Sequence, residues 1–141
     1  MVRRALKLAA WPAGISLLVT LARFFGERAA LPTAVTFFIG IFWLTVVVGI
    51  YWGFHLVPEA QPYRLLFVSL LAFAWLSRIP VVIVWWITRT YGLGTHYDVF
   101  TSWSEAVVAQ FGVGAAIQVI TGGLLGSIVL AIRRRQQSAA A

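Results

Sequence analysis

An arginine, Arg78, stands in the middle of an apolar run, Leu65 to Thr88, that contains no other charge. A guanidinium at the centre of a bilayer costs from about 3 to more than about 10 kcal/mol depending on the reference state, so such a side chain faces protein, water or a ligand and not acyl chains. Its chemistry is that of a planar cation with several donors, suited to carboxylate, phosphate or amide oxygens. None of the four acidic residues, Glu27, Glu59, Asp98 and Glu105, lies in the same run. Depth counting along the neighbouring apolar runs brings Thr45, Ser77, Gln118 and Thr121 near the level of Arg78, with Ser16 and Thr20 slightly further out. Converging faces would make these side chains one buried polar layer, with Arg78 donating to Gln118 and to the hydroxyls. Pro80 adds a further acceptor, because a proline displaces the carbonyl four residues back and leaves the Leu76 oxygen free beside the arginine. Three settings therefore compete for Arg78. It satisfies a kinked helix internally, or it binds an anion or lipid headgroup in a polar cavity, or it pairs with Asp98, Glu105 or a carboxylate on a partner chain.

The two histidines, His55 and His96, fall near opposite ends of the apolar runs and cannot share one ligand. The helix around His55 offers Tyr51 and Trp52 at close spacing, and Glu59 only beyond Pro58, so neither histidine has a companion at metal-ligand spacing. A single-histidine haem or chlorin ligand at His55 is the cofactor alternative; the primary expectation is no cofactor and no metal. In the outer loop His96 and Asp98 are placed to form a small hydrogen-bonded cluster. Enzyme chemistry finds no support: no serine lies in a Gly-x-Ser-x-Gly context, no glycine-rich phosphate loop precedes a Lys-Ser/Thr pair, and Glu59 is expected on the opposite side from Asp98 and Glu105. There are no cysteines, which removes disulfides, thiolate metal sites and thiol redox chemistry.

These residues need elements to hold them, and the elements are apolar runs. Of the 141 residues 61% are hydrophobic, beyond the range of a soluble domain. Four runs, about 5–25, 33–57, 65–88 and 103–132, each reach the roughly 20 residues that carry a helix across a bilayer. The expected fold is an all-α integral membrane protein, one domain over 1–141 forming a four-transmembrane-helix bundle. Pro32 and Pro62 suit first turns of helices, Pro58 closes the second run, and Ser102-Trp103-Ser104-Glu105 has the spacing of a capping box. The loop 89–102, with Gly92 and Gly94, reads as a turn on the extracytoplasmic side.

The net charge of +7 is distributed by topology. Arg3, Arg4, Lys7, Arg64 and Arg133 to Arg135 fall on one side of an even number of spans, and Arg23, Arg28 and Arg89 on the other. The positive-inside bias puts both termini in the cytoplasm of a bacterial inner-membrane type of cell membrane, with the basic groups against anionic headgroups and no role for nucleic acid. Trp11, Trp52, Trp85, Trp86 and Trp103 are expected as interfacial anchors, and Trp43 and Trp75 as packing residues.

The fourth run carries Gly114, Gln118, Gly122 and Gly126 at every fourth position with Gly123 alongside, and the second carries Thr45, Gly49 and Gly53. Small residues at this spacing let helix backbones approach closely, so the stripe is expected to be a helix–helix interface within the bundle or with another subunit, with a glycine-lined water or ion path beside Gln118 and Thr121 as the alternative. The reading that follows is an accessory or structural membrane subunit that docks on other subunits, or on its own copies, and on lipid through a glycine-rich face. The alternative is an oligomeric channel or transporter with an anion- or headgroup-binding site at Arg78, and the third is a cofactor carrier using His55.

Overall fold

The computed structural model describes residues 1–140, and among these the regular structure is helical throughout. Ala141, the last residue of the expected domain, lies outside the described residues. The helices are α1 (Val2–Arg28), α2 (Thr33–Phe38), α3 (Ile41–His55), α4 (Pro62–Tyr91), α5 (Trp103–Val107) and α6 (Ala115–Ala140). A 3₁₀ turn covers His96–Val99, and a π-helical segment, Val108–Gly114, joins α5 to α6 without interruption. Four segments are long and apolar enough to cross a membrane: Val2–Arg28, Thr33–His55, Pro62–Tyr91 and Trp103–Ala139.

The ends follow local chemistry. Pro62 occupies the first turn of α4, and the helix stops at Gly92, whose φ of +58° is the left-handed conformation a glycine adopts without strain. Ser102 caps α5 by accepting from the Glu105 amide at 3.2 Å. The capping box expected there is only half made, because the Glu105 carboxylate accepts instead from the amide and hydroxyl of Thr101. A box does form one turn earlier, where Thr95 and Asp98 cap the 3₁₀ turn.

The second run departs from an unbroken 33–57 helix. Ile39 (ψ 77°) and Gly40 (φ −150°, ψ 153°) are extended and separate α2 from α3. A Cβ on Gly40 would stand 3.3 Å from the Phe37 carbonyl oxygen and 3.5 Å from a terminal nitrogen of Arg23, so the break leaves room for that arginine of α1. Hydropathy does not register such a break, since Phe37, Phe38 and Ile39 are as apolar as a continuing span. The fourth run departs too, because in the π segment each turn holds an extra residue and the faces shift relative to an α-helix.

α4 is central, packing along α1 on one side and α6 on another, while α3 packs along α6. The α3–α6 contact is the glycine contact. A Cβ on Gly49 would lie 2.7 Å from the Gly122 carbonyl oxygen, one on Gly53 2.7 Å from that of Gly126, and one on Gly126 2.8 Å from that of Gly49. Gly122 and Gly123 instead make room for Leu70 and Phe67 of α4. Of the two settings expected for the glycine ridge, a contact within the bundle or one with another subunit, the chain makes the first, against α3 and α4. Gly114 is not part of it; its role is described below.

Two apolar clusters result. Ala5, Ala9, Val48, Trp52, Leu66, Leu70 and Phe73 form one toward the end that carries the termini, and Ile41, Val81, Val84, Trp85, Tyr97 and Ala106 form the other beneath the 92–102 loop. Trp52 and Trp85 are core residues and not interfacial anchors, and Trp75, expected inside, is 55% exposed.

Candidate functional site

Between the two apolar clusters lies the polar layer. Gln118, fully buried on α6, takes the Arg78 Nε–H on its Oε1 at 2.8 Å and donates from Nε2 to Thr45 Oγ1 at 2.9 Å and Ser77 Oγ at 3.2 Å. Thr45 and Ser77 return their own protons to backbone carbonyls of Ile41 and Ala74. Four of the five residues expected here therefore meet. Thr121, one turn further along α6, is half-buried and takes part in none of these bonds, and Ser16 and Thr20 bond their own helix. The Leu76 carbonyl is not the acceptor of Arg78; the Gly114 carbonyl is, at 2.9 Å from Nη2. Asp98 accepts from the amides of Gly94 and Thr95, and Glu105 from Thr101, so neither carboxylate reaches the arginine.

The π segment is what brings Arg78 its remaining partners. Gln110 Oε1 accepts from Nη1 at 3.0 Å, and Gly114 presents both a carbonyl and a bare Cα. A Cβ on Gly114 would be 3.0 Å from the Arg78 Cζ, so the guanidinium rests on that glycine. All three acceptors are neutral amide oxygens. Three of the five guanidinium N–H groups are engaged, which leaves two free, and no carboxylate compensates the charge among the described residues.

Arg78 lies against a cavity of about 530 Å³ bounded by α1, the α2–α3 break, α4, the 3₁₀ turn and the π segment. Its polar lining includes two cations, Arg78 and Arg23, with the side chains of Thr20, His96, Tyr97, Gln110 and Gln118. The start of α3, from its N-cap Gly40 through Ile41 and Phe42 to Trp43, also lines it; the Trp43 indole Nε1 is itself buried without a partner. The opening amides of a 15-residue helix have no acceptor within that helix, and Gly40 offers no side-chain cap. Gln110 and Gln118 supply amide groups to the same wall. Arg23 is matched by Glu27 at 3.2 Å on its own helix.

The loop closes one end of this cavity. Tyr97 donates its hydroxyl to the Thr20 carbonyl at 3.4 Å, Trp85 Nε1 donates to the Phe100 carbonyl at 3.2 Å, and Arg28 donates to the Leu93 carbonyl at 2.9 Å. His96 pairs through Nδ1 with Glu27 and also donates its amide to that carboxylate at 3.2 Å. The expected His96–Asp98 cluster is thus not made: the histidine turns to α1, and Asp98 caps its own turn. Burial holds the His96 imidazole below its ordinary value of 6.5 against the opposing pull of Glu27, with Arg23 adding to the depression. Burial likewise raises the Tyr97 phenol to about 12.

Comparison with protein families, curated proteins and solved structures gives no match to this chain.

His55 lies apart from this site. It is exposed near the end of α3, stacked on Tyr51 at 4.7 Å between centroids. No group of three or more His, Asp or Glu side chains with metal-site spacing occurs among the described residues. Sequence reasoning missed Gln110, Arg23, Trp43 and the α2–α3 break as parts of the site. The one signal that could have found Gln110 is its polarity inside an apolar run, one helical turn from Gly114.

Proposed function

We propose that this chain is a multi-pass membrane protein that captures an anionic, oxygen-bearing group in the cavity beside Arg78. The observation that carries the reading is the uncompensated charge of Arg78, which lines the cavity, meets only neutral oxygens and keeps two guanidinium N–H groups spare. A buried donor without an acceptor is costly, so a ligand rich in acceptors and negative in charge gains most here. Only neutral oxygens hold Arg78, and this favours a site over a structural ion pair, in which the charge would be cancelled within the chain. With both termini in the cytoplasm, as the distribution of Arg and Lys favours, the cavity belongs to the outer half of a bacterial inner membrane.

The accessory-subunit reading drew on the glycine face as one docking surface, and that face packs against α3 and α4 of the same chain, which leaves it less support. Gly114 alone remains from it, as the seat of Arg78. The cofactor-carrier reading through His55 draws no support from a histidine remote from the cavity.

Thermal unfolding of the purified chain in mild detergent, with phosphatidylglycerol or inorganic phosphate added at matched ionic strength, tests the proposal. At least one of the two raises the melting temperature of the native chain and fails to do so for Arg78→Gln. Equal response of both proteins to both ligands removes Arg78 from the role.

A further inference from the structure

Building on this anion-binding reading, we infer that the captured group is the head of an anionic phospholipid, taken sideways from the bilayer through the gap between the α2–α3 break and the π segment. The rim of the cavity carries the argument. Phe37 and Phe42 on one edge and Val113 and Ile117 on the other all line the cavity, and they are 54%, 43%, 61% and 48% exposed. They belong to segments apolar enough to lie within the hydrocarbon. A route for a hydrated ion would be edged with polar groups that replace its water; this edge is aromatic and aliphatic, which suits an acyl chain.

The 92–102 loop is tied down over the opposite end. Tyr97, Phe100 and His96 are each bonded across to α1 or α4, so the 92–102 loop spans the water-facing end of the cavity. The extended backbone at Ile39–Gly40 has the same implication. Non-helical backbone within a span is stable only beside protein or a polar cavity, and α2, six residues long, has α1 as its main support. Size also discriminates, since about 530 Å³ far exceeds a single oxyanion and suits a headgroup with the start of its chains. Arg78 at the floor and Arg23 beside Gly40 at the rim would give a phosphate two cations along its path.

The test uses native mass spectrometry of the full chain released from micelles that contain equal phosphatidylglycerol and phosphatidylcholine, alongside melting curves with inorganic phosphate. The native chain is expected to retain one phosphatidylglycerol at least about tenfold over phosphatidylcholine, a difference of about 1.4 kcal/mol. Arg78→Gln abolishes that preference, and Gln118→Glu, which neutralises the arginine from a neighbouring position, does so as well should the first variant fail to fold. Ile117→Trp, which narrows the rim from an exposed site, lowers retention about tenfold. Stabilisation by inorganic phosphate without preferential retention of phosphatidylglycerol, or retention unchanged in Ile117→Trp, overturns the lipid inference and leaves the anion site standing. Absence of any Arg78-dependent response to either ligand overturns both.

Discussion

The guanidinium of Arg78 rests on the Cα of Gly114, which sits at the junction of the π segment and α6: a methyl group there would stand 3.0 Å from Cζ, and the Gly114 carbonyl takes an Nη2 proton at 2.9 Å. The arginine is held by a missing side chain as much as by its acceptors. Gly114→Ala is expected to leave the fold intact, because the far end of a flexible side chain can withdraw and alanine is the better helix former by about 1 kcal/mol. Affinity for the anionic ligand should fall about tenfold, equivalent to one charge-assisted hydrogen bond at the low end of its range. A binding isotherm with phosphatidylglycerol, compared with the melting temperature, separates the two effects.

Gln118 joins the charge to the rest of the layer. Gln118→Leu removes the acceptor of the Arg78 Nε–H and the partner of Thr45 and Ser77 at once. A loss of about 2–3 kcal/mol is expected, since a buried charged donor is left unmet. Denaturant titration in mixed micelles measures it; a change under about 0.5 kcal/mol would mean that water fills the place.

The glycine contact between α3 and α6 is backbone against backbone. Gly49→Val would drive a Cβ to 2.7 Å from the Gly122 carbonyl oxygen, which cannot swing away as a side chain can. Destabilisation of about 3 kcal/mol or more is expected, at the upper end of overpacking in close-packed interiors. The readout is the melting temperature of the monomeric chain. Loss of an oligomer with the monomer's stability unchanged would relocate the contact to an interface between chains.

Acid should loosen the loop. The folded value of His96 lies below 6.5 because burial outweighs the Glu27 carboxylate, and Arg23 opposes protonation as well. The unfolded chain therefore takes the proton first as the pH drops. The stability linked to this group is complete above about pH 6.5 and is lost as the pH falls from there through the folded value. Melting curves between pH 8 and pH 5 should show a decline that His96→Gln reduces. A decline of the same size in both proteins would assign it to another group.

Ala30 has a φ of +55° in the turn after α1, where the amides of Ala30 and Leu31 bond back to Glu27 and Gly26. A residue with a Cβ is strained in that conformation, and a glycine is not. Ala30→Gly is expected to stabilise the chain by about 0.5–1 kcal/mol, the gain being trimmed by the extra entropy of an unfolded glycine. Chemical denaturation in detergent reports the sign directly.

Much of this was legible in the chain. The four helices long and apolar enough to cross a membrane follow from length and hydropathy, and the polar layer of Arg78, Ser77, Thr45 and Gln118 follows from counting positions, because a helix advances by a constant rise and equal level along neighbouring helices is arithmetic. The need of a central arginine for company follows from the cost of a charge in hydrocarbon. What depended on which face meets which could not be counted. The glycines of two runs were visible, yet their pairing with each other was decided only when α3 and α6 crossed, Gly49 on Gly122 and Gly53 on Gly126. His96 chose Glu27 over Asp98, although Asp98 is its neighbour in sequence, because the loop folds onto α1. The break at Ile39–Gly40 and the π segment at Val108–Gly114 leave hydropathy untouched and change only backbone angles, and those two irregularities bound the cavity and bring Gln110 and Gly114 to the arginine. Composition and spacing thus determined that a cation would be buried and at what depth; packing between helices decided its partners and the space beside it, since side-chain direction depends on local winding and on crossing geometry that no single run encodes.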